Sequence, residues 1–363
     1  MKLLYDHQIF SSQRFGGVSK YFCEMIRNIP SGYSYNLSVL FTENQYLKEG
    51  QTIFKKRIVP FHDKEFKGKG ALMKGVRILN QSYSRRCIAA NNFDLFHPTF
   101  YDDYFLRNLK KPYIITVHDM IRFKFKEIPG GDTIRQQMEN TIKKANRIIA
   151  VSENTKKDIT GMLGIMPDKI DVVYHGFNKQ HKTPATNILG KYILFVGRRS
   201  GYKNFIPFIT AISELLYQEK DLKLVCTGEP FSKEEIESLK KLKILGQTTQ
   251  LPASERELND LYANAQLFIY PSLYEGFGMP ILEAFANNCP ACLSDNSCFP
   301  EIAGNAAIYF DPYKKESILE AVKKVLYDSN LKSELISKGR ERLALFSWKK
   351  TADETINSYK KIV

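Results

Sequence analysis

Two glutamates and the glycine loop between them form the stretch of this sequence best suited to chemistry. Glu275 opens the segment Glu-Gly-Phe-Gly, and Glu283 follows with seven residues between them, one turn inside an apparent helix. A glycine loop that leads into a helix presents backbone N–H groups at the positive end of the helix dipole, which suits an anion or a hydroxyl group. Both carboxylates can reach one cavity there. The alternative is a plain strand–helix connection with two solvated glutamates.

A second glycine-containing turn carries two cations. The segment Gly-Arg-Arg-Ser-Gly-Tyr-Lys-Asn over 197–204 follows one predicted strand and leads into a predicted helix. Arg198 and Lys203, together with backbone amides, suit a diphosphate, because each phosphate oxygen can accept charged hydrogen bonds. We interpret Arg199 as a surface residue or a specificity contact. A solvated turn is the alternative for the whole segment.

Glycines and a histidine also follow predicted strands in the first half of the chain. Gly16 and Gly17 precede an amphipathic segment over 19–28, where they would let the backbone approach a ligand closely. His118 follows the apolar run 113–117, and ligands of open α/β sheets bind at the carboxyl ends of strands. A lone histidine is more often structural, but its place at a strand end favours a functional role.

The elements that must position these residues alternate between strand and helix. Short apolar runs predict buried strands of the parallel type, and apolar residues at helical spacing predict the helices between them. The fold class predicted is therefore α/β. The predicted strands are 2–5, 35–41, 93–97, 113–117, 147–151, 171–174, 191–196, 222–228, 265–270 and 290–294, and the predicted helices include 19–28, 133–145, 205–217, 255–262 and 279–287.

Length and composition favour a two-domain globular protein. The chain has 363 residues, of which 43% are hydrophobic and 25% are charged. A polar segment over 179–190 predicts a linker. No apolar run reaches the roughly 20 residues that a membrane span needs. The chain begins directly with a strand-like run rather than a signal-peptide pattern, so we expect a cytoplasmic protein.

The six cysteines show one pair at metal or redox spacing, Cys289-Pro-Ala-Cys292. No second pair and no histidine cluster accompanies it, because all six histidines precede residue 182. We therefore interpret these residues as buried thiols beside a strand, and we predict no metal site.

Positive charge is concentrated in the first half of the chain. The net charge is +14, and residues 1–182 carry 30 Lys and Arg against 17 Asp and Glu, whereas residues 183–363 carry 23 against 22. This asymmetry predicts an anionic partner for the first half: a phosphorylated acceptor, an acidic membrane surface or nucleic acid. The very basic stretch 55–86, with interleaved apolar residues, suits an anionic membrane. An ordinary solvated helix face is the alternative.

Several of these motifs together resemble one protein family. Tyr-Glu-Gly-Phe-Gly-x-Pro-x-Leu-Glu-Ala over 274–284 closely resembles the E-x7-E signature of retaining glycosyltransferases of family 4. The order Gly-Arg-x4-Lys-Asn over 197–204 is similar to that family's diphosphate-binding stretch, and the pair His118-Asp119 is similar to its His-Asp pair. The opening segments resemble mannosyltransferases of bacterial surface-polysaccharide assembly.

The resemblance implies the GT-B fold, in which two Rossmann-like domains face each other across a cleft. It implies an N-terminal acceptor-binding domain over 1–182, a nucleotide-sugar-binding domain over 183–345, and a C-terminal helix over 346–363 that crosses back to the first domain. It also implies a metal-independent, retaining enzyme that needs no cofactor besides its nucleotide-sugar substrate.

The resemblance further implies a role for each matched residue. His118 would lie near the transferred sugar, Glu275 would orient that sugar near its anomeric carbon, and Glu283 would hold the ribose hydroxyls. Gly16 and Gly17 would lie near the donor phosphates and the acceptor. The charge of the departing diphosphate would be stabilised by Arg198, Lys203 and the backbone amides of Gly276, Phe277, Gly278 and Met279.

Three positions depart from the family pattern. His175 replaces the usual asparagine of an Asn-Gly turn, Cys289 stands where relatives have glycine, and 247–252 differs where base contacts are expected.

The resemblance favours GDP-mannose as donor and a glycan or lipid-linked glycan as acceptor, with the enzyme peripheral on the cytoplasmic face of the membrane. A UDP-sugar is the alternative donor. Two other hypotheses are a sugar-nucleotide epimerase of the same fold and a non-enzymatic binder of an anion or nucleic acid. The last gives no reason for the glutamates and cations of the second half, so we expect no nucleic-acid partner.

Overall fold

The computed structural model describes residues 1–49, 57–58, 66–125, 131–178 and 189–363. The chain divides into two compact units, one formed by residues 1–176 with 347–363 and the other by residues 177–346. The boundary predicted at 182/183 lies outside the described residues, as does most of the predicted linker.

The first unit contains parallel β-sheets. Strand β1 pairs with β2 and β5, β6 pairs with β7, and β7 pairs with β8, all in parallel. An isolated parallel bridge between Phe96 and Tyr113 links β5 to β6. The strands are β1 Lys2–Tyr5, β2 Ser34–Leu37, β3 Phe41–Thr42, β4 Arg57–Ile58, β5 Leu95–His97, β6 Ile114–Val117, β7 Arg147–Ala150 and β8 Ile170–Val172.

The central strands of this unit are covered on both faces. Every residue of β5 and β6 is buried, as expected for parallel strands that carry helices on both sides. The α-helices are Gln8–Ser12, Gly17–Arg27, Gln45–Glu49, Lys69–Ala90, Ile121–Lys124, Gly131–Lys144 and Glu153–Leu163, and Pro167–Lys169 is a 3₁₀ turn.

One strand prediction needs correction. The single strand predicted over 35–41 is divided into β2 and β3, and β3 pairs with β4 instead of joining β1. The break lies at Ser38, whose backbone N–H and side-chain hydroxyl both donate to the carbonyl of Tyr5. The hydroxyl also meets that of Ser84 at 2.7 Å, so this buried serine is satisfied outside the regular strand.

The last helix, Trp348–Lys360, belongs to the first unit. Ser347 caps its start by accepting from the N–H of Lys350, and Trp348, Ile356 and Tyr359 join the core of the first unit. At its end Lys361 reaches Asp171 of β8, which Arg147 also contacts. Burial opposes the charge of Asp171, but hydrogen bonds from Arg147, Lys361 and Ser358 outweigh it and lower the pKa of this carboxyl to about 2.

The second unit is a doubly wound parallel sheet. Its six strands lie in the order β11-β10-β9-β12-β13-β14, which is 3-2-1-4-5-6 in the order of this unit. The order in which strands are added therefore reverses between β9 and β12. Ligands of such sheets bind at this switch point. The strands are β9 Lys191–Phe195, β10 Leu222–Thr227, β11 Thr248–Leu251, β12 Leu267–Tyr270, β13 Ala291–Ser294 and β14 Ala307–Phe310.

Helices cover this second sheet and complete its core. The α-helices are Phe205–Gln218, Lys233–Lys241, Glu255–Asn264, Met279–Ala286, Phe299–Ala303, Lys315–Tyr327 and Ser329–Leu343, with 3₁₀ turns at Gly201–Lys203 and Leu245–Gln247. Within the described ranges, no helix is long and apolar enough to cross a membrane. Within the same ranges, no group of three His, Cys, Asp or Glu residues could hold a metal ion.

Gly176 makes a close backbone contact that the sequence did not predict. A Cβ atom at this position would lie 2.2 Å from the backbone nitrogen of Trp348 and 2.5 Å from the carbonyl carbon of Ser347. The start of the last helix therefore packs directly on this glycine, and no side chain fits between the two backbones.

Replacing Gly176 with alanine should lower the free energy of unfolding by at least about 2 kcal/mol, because backbone atoms must move to admit the methyl group. Chemical denaturation measures the change. The matched control is Gly161→Ala in the helix Glu153–Leu163, where nothing lies within 4 Å of the added methyl. That change should raise the stability by about 0.5–1 kcal/mol. Equal stability of the Gly176→Ala variant and the wild type would contradict the close contact.

Candidate active site

The second unit brings together two of the predicted site residues in an ion pair. Strands β9 and β12 are neighbours, so the turn after β9 and the glycine loop after β12 lie side by side. The N–H of Leu273 donates to the carbonyl of Tyr202 at 2.7 Å and joins the two loops. Lys203 Nζ then lies 2.6 Å from Glu275 Oε1, and both side chains are largely buried.

A tyrosine completes the surroundings of the Glu275 carboxylate. The ammonium group of Lys203 lies 5.5 Å from the centre of the Tyr270 ring and 5.1 Å from that of Tyr202. Burial, followed by the charge of Glu275 and a hydrogen bond to it, raises the pKa of Tyr270 well above its usual value. Tyr270 therefore stays protonated beside the carboxylate. Glu275 thus has a cation and a neutral phenol next to it.

The backbone of Glu275 is held by Ser297, which the sequence did not single out. The Ser297 hydroxyl accepts from the N–H of Glu275 at 3.0 Å and donates to its carbonyl at 2.7 Å. Ser297 itself has a φ of 56°, a left-handed conformation that is uncommon outside glycine.

The second signature glutamate contacts a different tyrosine. Tyr262, on the helix Glu255–Asn264, donates its hydroxyl to Glu283 Oε2 at 3.1 Å. Burial, then the charge of Glu283 and this hydrogen bond, raise the pKa of Tyr262 well above its usual value. Glu283 is half-buried and lies inside the helix Met279–Ala286, as predicted.

Gly278 allows the sharp turn from the glycine loop into that helix. It caps the helix with a φ of 87°, and an added Cβ would lie 3.0 Å from Ile281 Cδ1. Pro280 occupies the first turn, where its missing N–H is not needed. Phe277 is buried and meets Phe346 edge-on with ring centres 5.9 Å apart, which fixes the loop before Met279.

The neighbouring arginines of the first turn have opposite environments. Arg198 is exposed and makes no hydrogen bond or ion pair within the described ranges. Arg199, interpreted from the sequence as a surface residue or specificity contact, is only 7% exposed, so the surface interpretation is wrong. Its guanidinium donates to Glu235 and to the carbonyls of Thr227, Glu229 and Pro230, and it lies over the ring of Phe231. Arg199 is therefore structural.

In the first unit, His118 lies at the end of β6 among aromatic rings. Its ring centre is 5.0 Å from that of Tyr21 and 5.6 Å from that of His175. Burial lowers the pKa of His118 to about 3, so its ring is neutral at neutral pH. Both ring nitrogens are buried and have no hydrogen-bond partner in the described part of the chain. A neutral imidazole offers one donor and one acceptor, which suits a sugar hydroxyl.

His175, which departs from the family pattern, belongs to the same cluster. Its ring lies 4.9 Å from that of Tyr21 and stacks on Trp348 at 6.2 Å. Burial, with a smaller contribution from His118, lowers the pKa of His175 well below its usual value. The sequence could not indicate this contact, because Trp348 is distant in the chain.

The two glycines near the start of the chain differ in their surroundings. An added Cβ at Gly16 would collide with the side chain of Gln13, whose amide oxygen accepts from the N–H of Ser19 in the first turn of the helix Gly17–Arg27. Nothing lies within 4 Å of an added Cβ at Gly17. The open space at Gly17 leaves its backbone accessible, whereas Gly16 makes room for the side chain that caps the helix.

The cysteine pair of the second unit is buried, as interpreted. Cys289 and Cys292 carry free thiols, and burial raises the pKa of both. Since the reactive form of cysteine is the thiolate, these residues are poorly suited to redox chemistry or metal binding.

Family comparisons cover both units of this chain. A model described as "Glycosyltransferase Family 4" matches residues 15–181, and one described as "Glycosyl transferases group 1" matches residues 177–342. Together they span the two units and the two motifs that form the Lys203–Glu275 pair. The chain belongs to glycosyltransferase family 4.

Sequence relatives include two proteins named as O-antigen chain mannosyltransferases. The chain is 30% identical over 216 residues to "O-antigen chain mannosyltransferase RfbU" of Salmonella typhimurium, a match that covers 58% of this chain and 60% of the relative. It is 26% identical over 266 residues to "O-antigen chain mannosyltransferase B" of Escherichia coli, covering 68% and 70%. The matches thus span about two thirds of these relatives' lengths.

Solved structures confirm the GT-B fold. Sucrose-phosphate synthase from Thermosynechococcus elongatus aligns with a TM-score of 0.73 at 16% identity and covers 99% of this chain and 98% of its own. Alr3699/HepE of Anabaena, in complex with UDP and glucose, aligns with a TM-score of 0.72 at 14% identity and covers 99% of each chain. At these identities the likeness establishes the fold.

Replacing each of the two neighbouring arginines should have very different effects on the free energy of unfolding. Arg199→Ala should lower the free energy of unfolding by about 3–5 kcal/mol, because it leaves Glu235 and several carbonyls without their buried donor. Arg198→Ala should change it by less than about 0.5 kcal/mol, as usual for an exposed residue. Urea denaturation of both variants checks this. Equal effects would contradict the opposite environments assigned here.

Proposed function

We propose that this protein transfers a sugar from a nucleotide-diphosphate donor to a glycan or lipid-linked glycan acceptor, with retention of anomeric configuration and without a metal ion. The Lys203–Glu275 pair at the switch point of the second sheet carries this proposal. It places a cation and a carboxylate 2.6 Å apart, beside a glycine loop that leads into a helix. A diphosphate and a sugar need these groups next to each other.

The first step concerns the leaving group. Departure of the nucleotide diphosphate builds negative charge on its oxygens, and Lys203 and the exposed Arg198 would stabilise that charge. The backbone amides from Gly276 to Met279 would add donors at the positive end of the helix dipole. Glu275 is paired with Lys203, so a bound diphosphate would share this ammonium group with the carboxylate.

The carboxylates would bind the two ends of the donor. Glu283 would hold the ribose hydroxyls, since one carboxylate can accept from both. Glu275 would orient the sugar near its anomeric carbon. His118 of the first unit would contact the sugar or position the acceptor through its neutral ring.

The transfer itself exchanges one bond for another. The bond between the anomeric carbon and the phosphate oxygen breaks, and the acceptor hydroxyl forms a new bond to that carbon on the face the leaving group vacates. The departing phosphate takes the hydroxyl proton. This route retains the anomeric configuration and needs no protein nucleophile.

The donor that we propose is GDP-mannose. Two relatives carry the name O-antigen chain mannosyltransferase, which supports a mannosyl donor in surface-polysaccharide assembly. A solved structure of the same fold holds UDP and glucose, which supports a UDP-sugar as the second candidate.

The donor class should appear in thermal shifts measured with GDP, UDP, ADP and their sugars in the presence of EDTA. Ligand binding to the native state raises the melting temperature, and we expect one nucleotide to raise it in the wild type but less in Glu283→Ala.

Sugar transfer from the labelled donor to a lipid-linked glycan fraction should fall at least about tenfold in Arg198→Ala and Lys203→Ala.

Three results would contradict the proposed function. They are the absence of a shift with every nucleotide, full transfer by both cation variants, and consumption of the donor to an isomeric sugar nucleotide without acceptor. NMR of the product's anomeric proton tests retention.

A lipid-linked acceptor would place the enzyme at an anionic membrane. Residues 55–56 and 59–65 of the basic stretch lie outside the described residues. The helix Lys69–Ala90 buries one face and leaves Ile78 63% and Leu79 53% exposed. No acidic residue occurs from 66 to 90, and exposed cations flank the apolar residues: Lys67, Lys74, Arg77, Arg85 and Arg86. This surface suits anionic lipid, to which each cation contributes on the order of 1 kcal/mol.

Vesicle sedimentation should test this contact. The protein should bind vesicles that contain phosphatidylglycerol more tightly than pure phosphatidylcholine vesicles, and salt should weaken the binding. Lys74→Glu with Ile78→Ser should lower the partition coefficient at least about tenfold. The matched control, Lys157→Glu with Met166→Ser, changes an exposed cation and an exposed apolar residue elsewhere in the first unit. Equal binding by the two double variants would rule out this helix as the contact.

A further inference from the structure

Each signature glutamate of the second unit contacts a side-chain hydroxyl that lies outside the signature. Tyr262 donates to the carboxylate of Glu283, and Ser297 bonds to both backbone groups of Glu275. We propose that Tyr262 and Ser297 are positioning residues with separate effects: Tyr262 sets nucleotide affinity through Glu283, and Ser297 sets the rate of bond cleavage through Glu275. This inference rests on the roles proposed above for the two glutamates.

Tyr262 is placed to fix the orientation of one carboxylate. Its ring is fully buried and meets Phe268 edge-on with ring centres 5.4 Å apart, so the hydroxyl has little freedom. That hydroxyl lies 3.1 Å from Oε2 of Glu283. A donor on one oxygen fixes the rotation of the carboxyl plane, which sets where both oxygens meet a pair of ribose hydroxyls. The raised pKa of Tyr262 keeps the donor proton in place.

Ser297 acts on the backbone rather than on the carboxylate. Its hydroxyl bonds to the N–H of Glu275 at 3.0 Å and to the carbonyl of the same residue at 2.7 Å. One side chain therefore holds the peptide groups on both sides of this Cα. The loop after β13 is thereby coupled to the loop after β12, and the position of the Glu275 side chain depends on that coupling.

The backbone conformation of Ser297 points to function rather than to fold alone. A φ of 56° costs conformational free energy for any residue except glycine. Such conformations persist where the surrounding structure enforces them, and they concentrate at functional sites. Glycine would adopt this φ without cost but would lack the hydroxyl, so the two contributions can be separated by substitution.

The affinity arm uses Tyr262→Phe, which removes only the hydroxyl from the buried ring. Isothermal titration with GDP, or with UDP if UDP stabilises the wild type, should give a dissociation constant raised about tenfold, since a hydrogen bond to a charged group is lost. The rate of hydrolysis of the corresponding sugar nucleotide at saturation should stay within about twofold. The control is Tyr217→Phe, which alters an exposed tyrosine on the helix Phe205–Gln218.

The rate arm uses Ser297→Gly and Ser297→Ala. Both remove the hydroxyl, and only glycine relieves the left-handed strain. We expect saturated hydrolysis of the sugar nucleotide to fall at least about tenfold in both, with the nucleotide dissociation constant within about twofold of the wild type. Melting temperatures should show the glycine variant to be the more stable of the two. Ser213→Ala is the matched control, because the hydroxyl of Ser213 donates to the carbonyl of Thr210 within the helix Phe205–Gln218.

The outcomes separate this inference from the proposed function. If Glu283→Ala loses nucleotide affinity and Glu275→Ala loses hydrolysis while Tyr262→Phe and Ser297→Gly match the wild type, the positioning roles are overturned and the proposed function stands. If both hydroxyl variants alter the same kinetic parameter, the separate effects are overturned. Wild-type behaviour of both glutamate variants would overturn the proposed roles and this inference together. A loss of nucleotide affinity confined to Tyr262→Phe, with a loss of hydrolysis confined to the Ser297 variants, supports it.

Discussion

The site of the second unit depends on one ion pair, Lys203 with Glu275. Both side chains are largely withdrawn from water, so either charge alone would be costly to bury. The pair can form only because β9 and β12 are neighbours and end at the same edge of the sheet. The bond from Leu273 to Tyr202 holds the two loops together at that edge. A largely buried cation and a largely buried carboxylate thus share one place because of strand order.

Neutral hydroxyl groups then fix the geometry of the charged ones. Tyr270 lies beside Glu275, Tyr262 donates to the carboxylate of Glu283, and Ser297 holds the backbone of Glu275. Buried tyrosines are suited to this task, because burial and a nearby carboxylate both oppose loss of their proton. These hydroxyl groups supplement the ion pair of Glu275 with Lys203, while Arg198 of the same turn remains exposed.

The candidate residues of the first unit differ from those of the second, because they are aromatic and neutral. His118 and His175 lie against Tyr21 in a cluster that Trp348 of the last helix closes. Burial keeps both histidines uncharged at neutral pH, so the cluster offers hydrogen bonding without charge. Gly176 lets the last helix approach closely enough for Trp348 to stack on His175. The return of that helix therefore builds part of the candidate site as well as the core.

The sequence by itself determined the alternation of strands and helices and the glycine loop with its two glutamates. These follow from local patterns: apolar runs, helical spacing, and glycine or proline at fixed positions. The return of the last helix was expected from the resemblance to the family and not from a local pattern. Only the tertiary structure decided which of two adjacent arginines turns inward, because Glu235 and the carbonyls around Arg199 come from distant segments. It also decided that Tyr262 and Ser297 contact the glutamates and that Trp348 meets His175. Those contacts join residues from separate segments, and no local pattern encodes the strand order that brings such segments together.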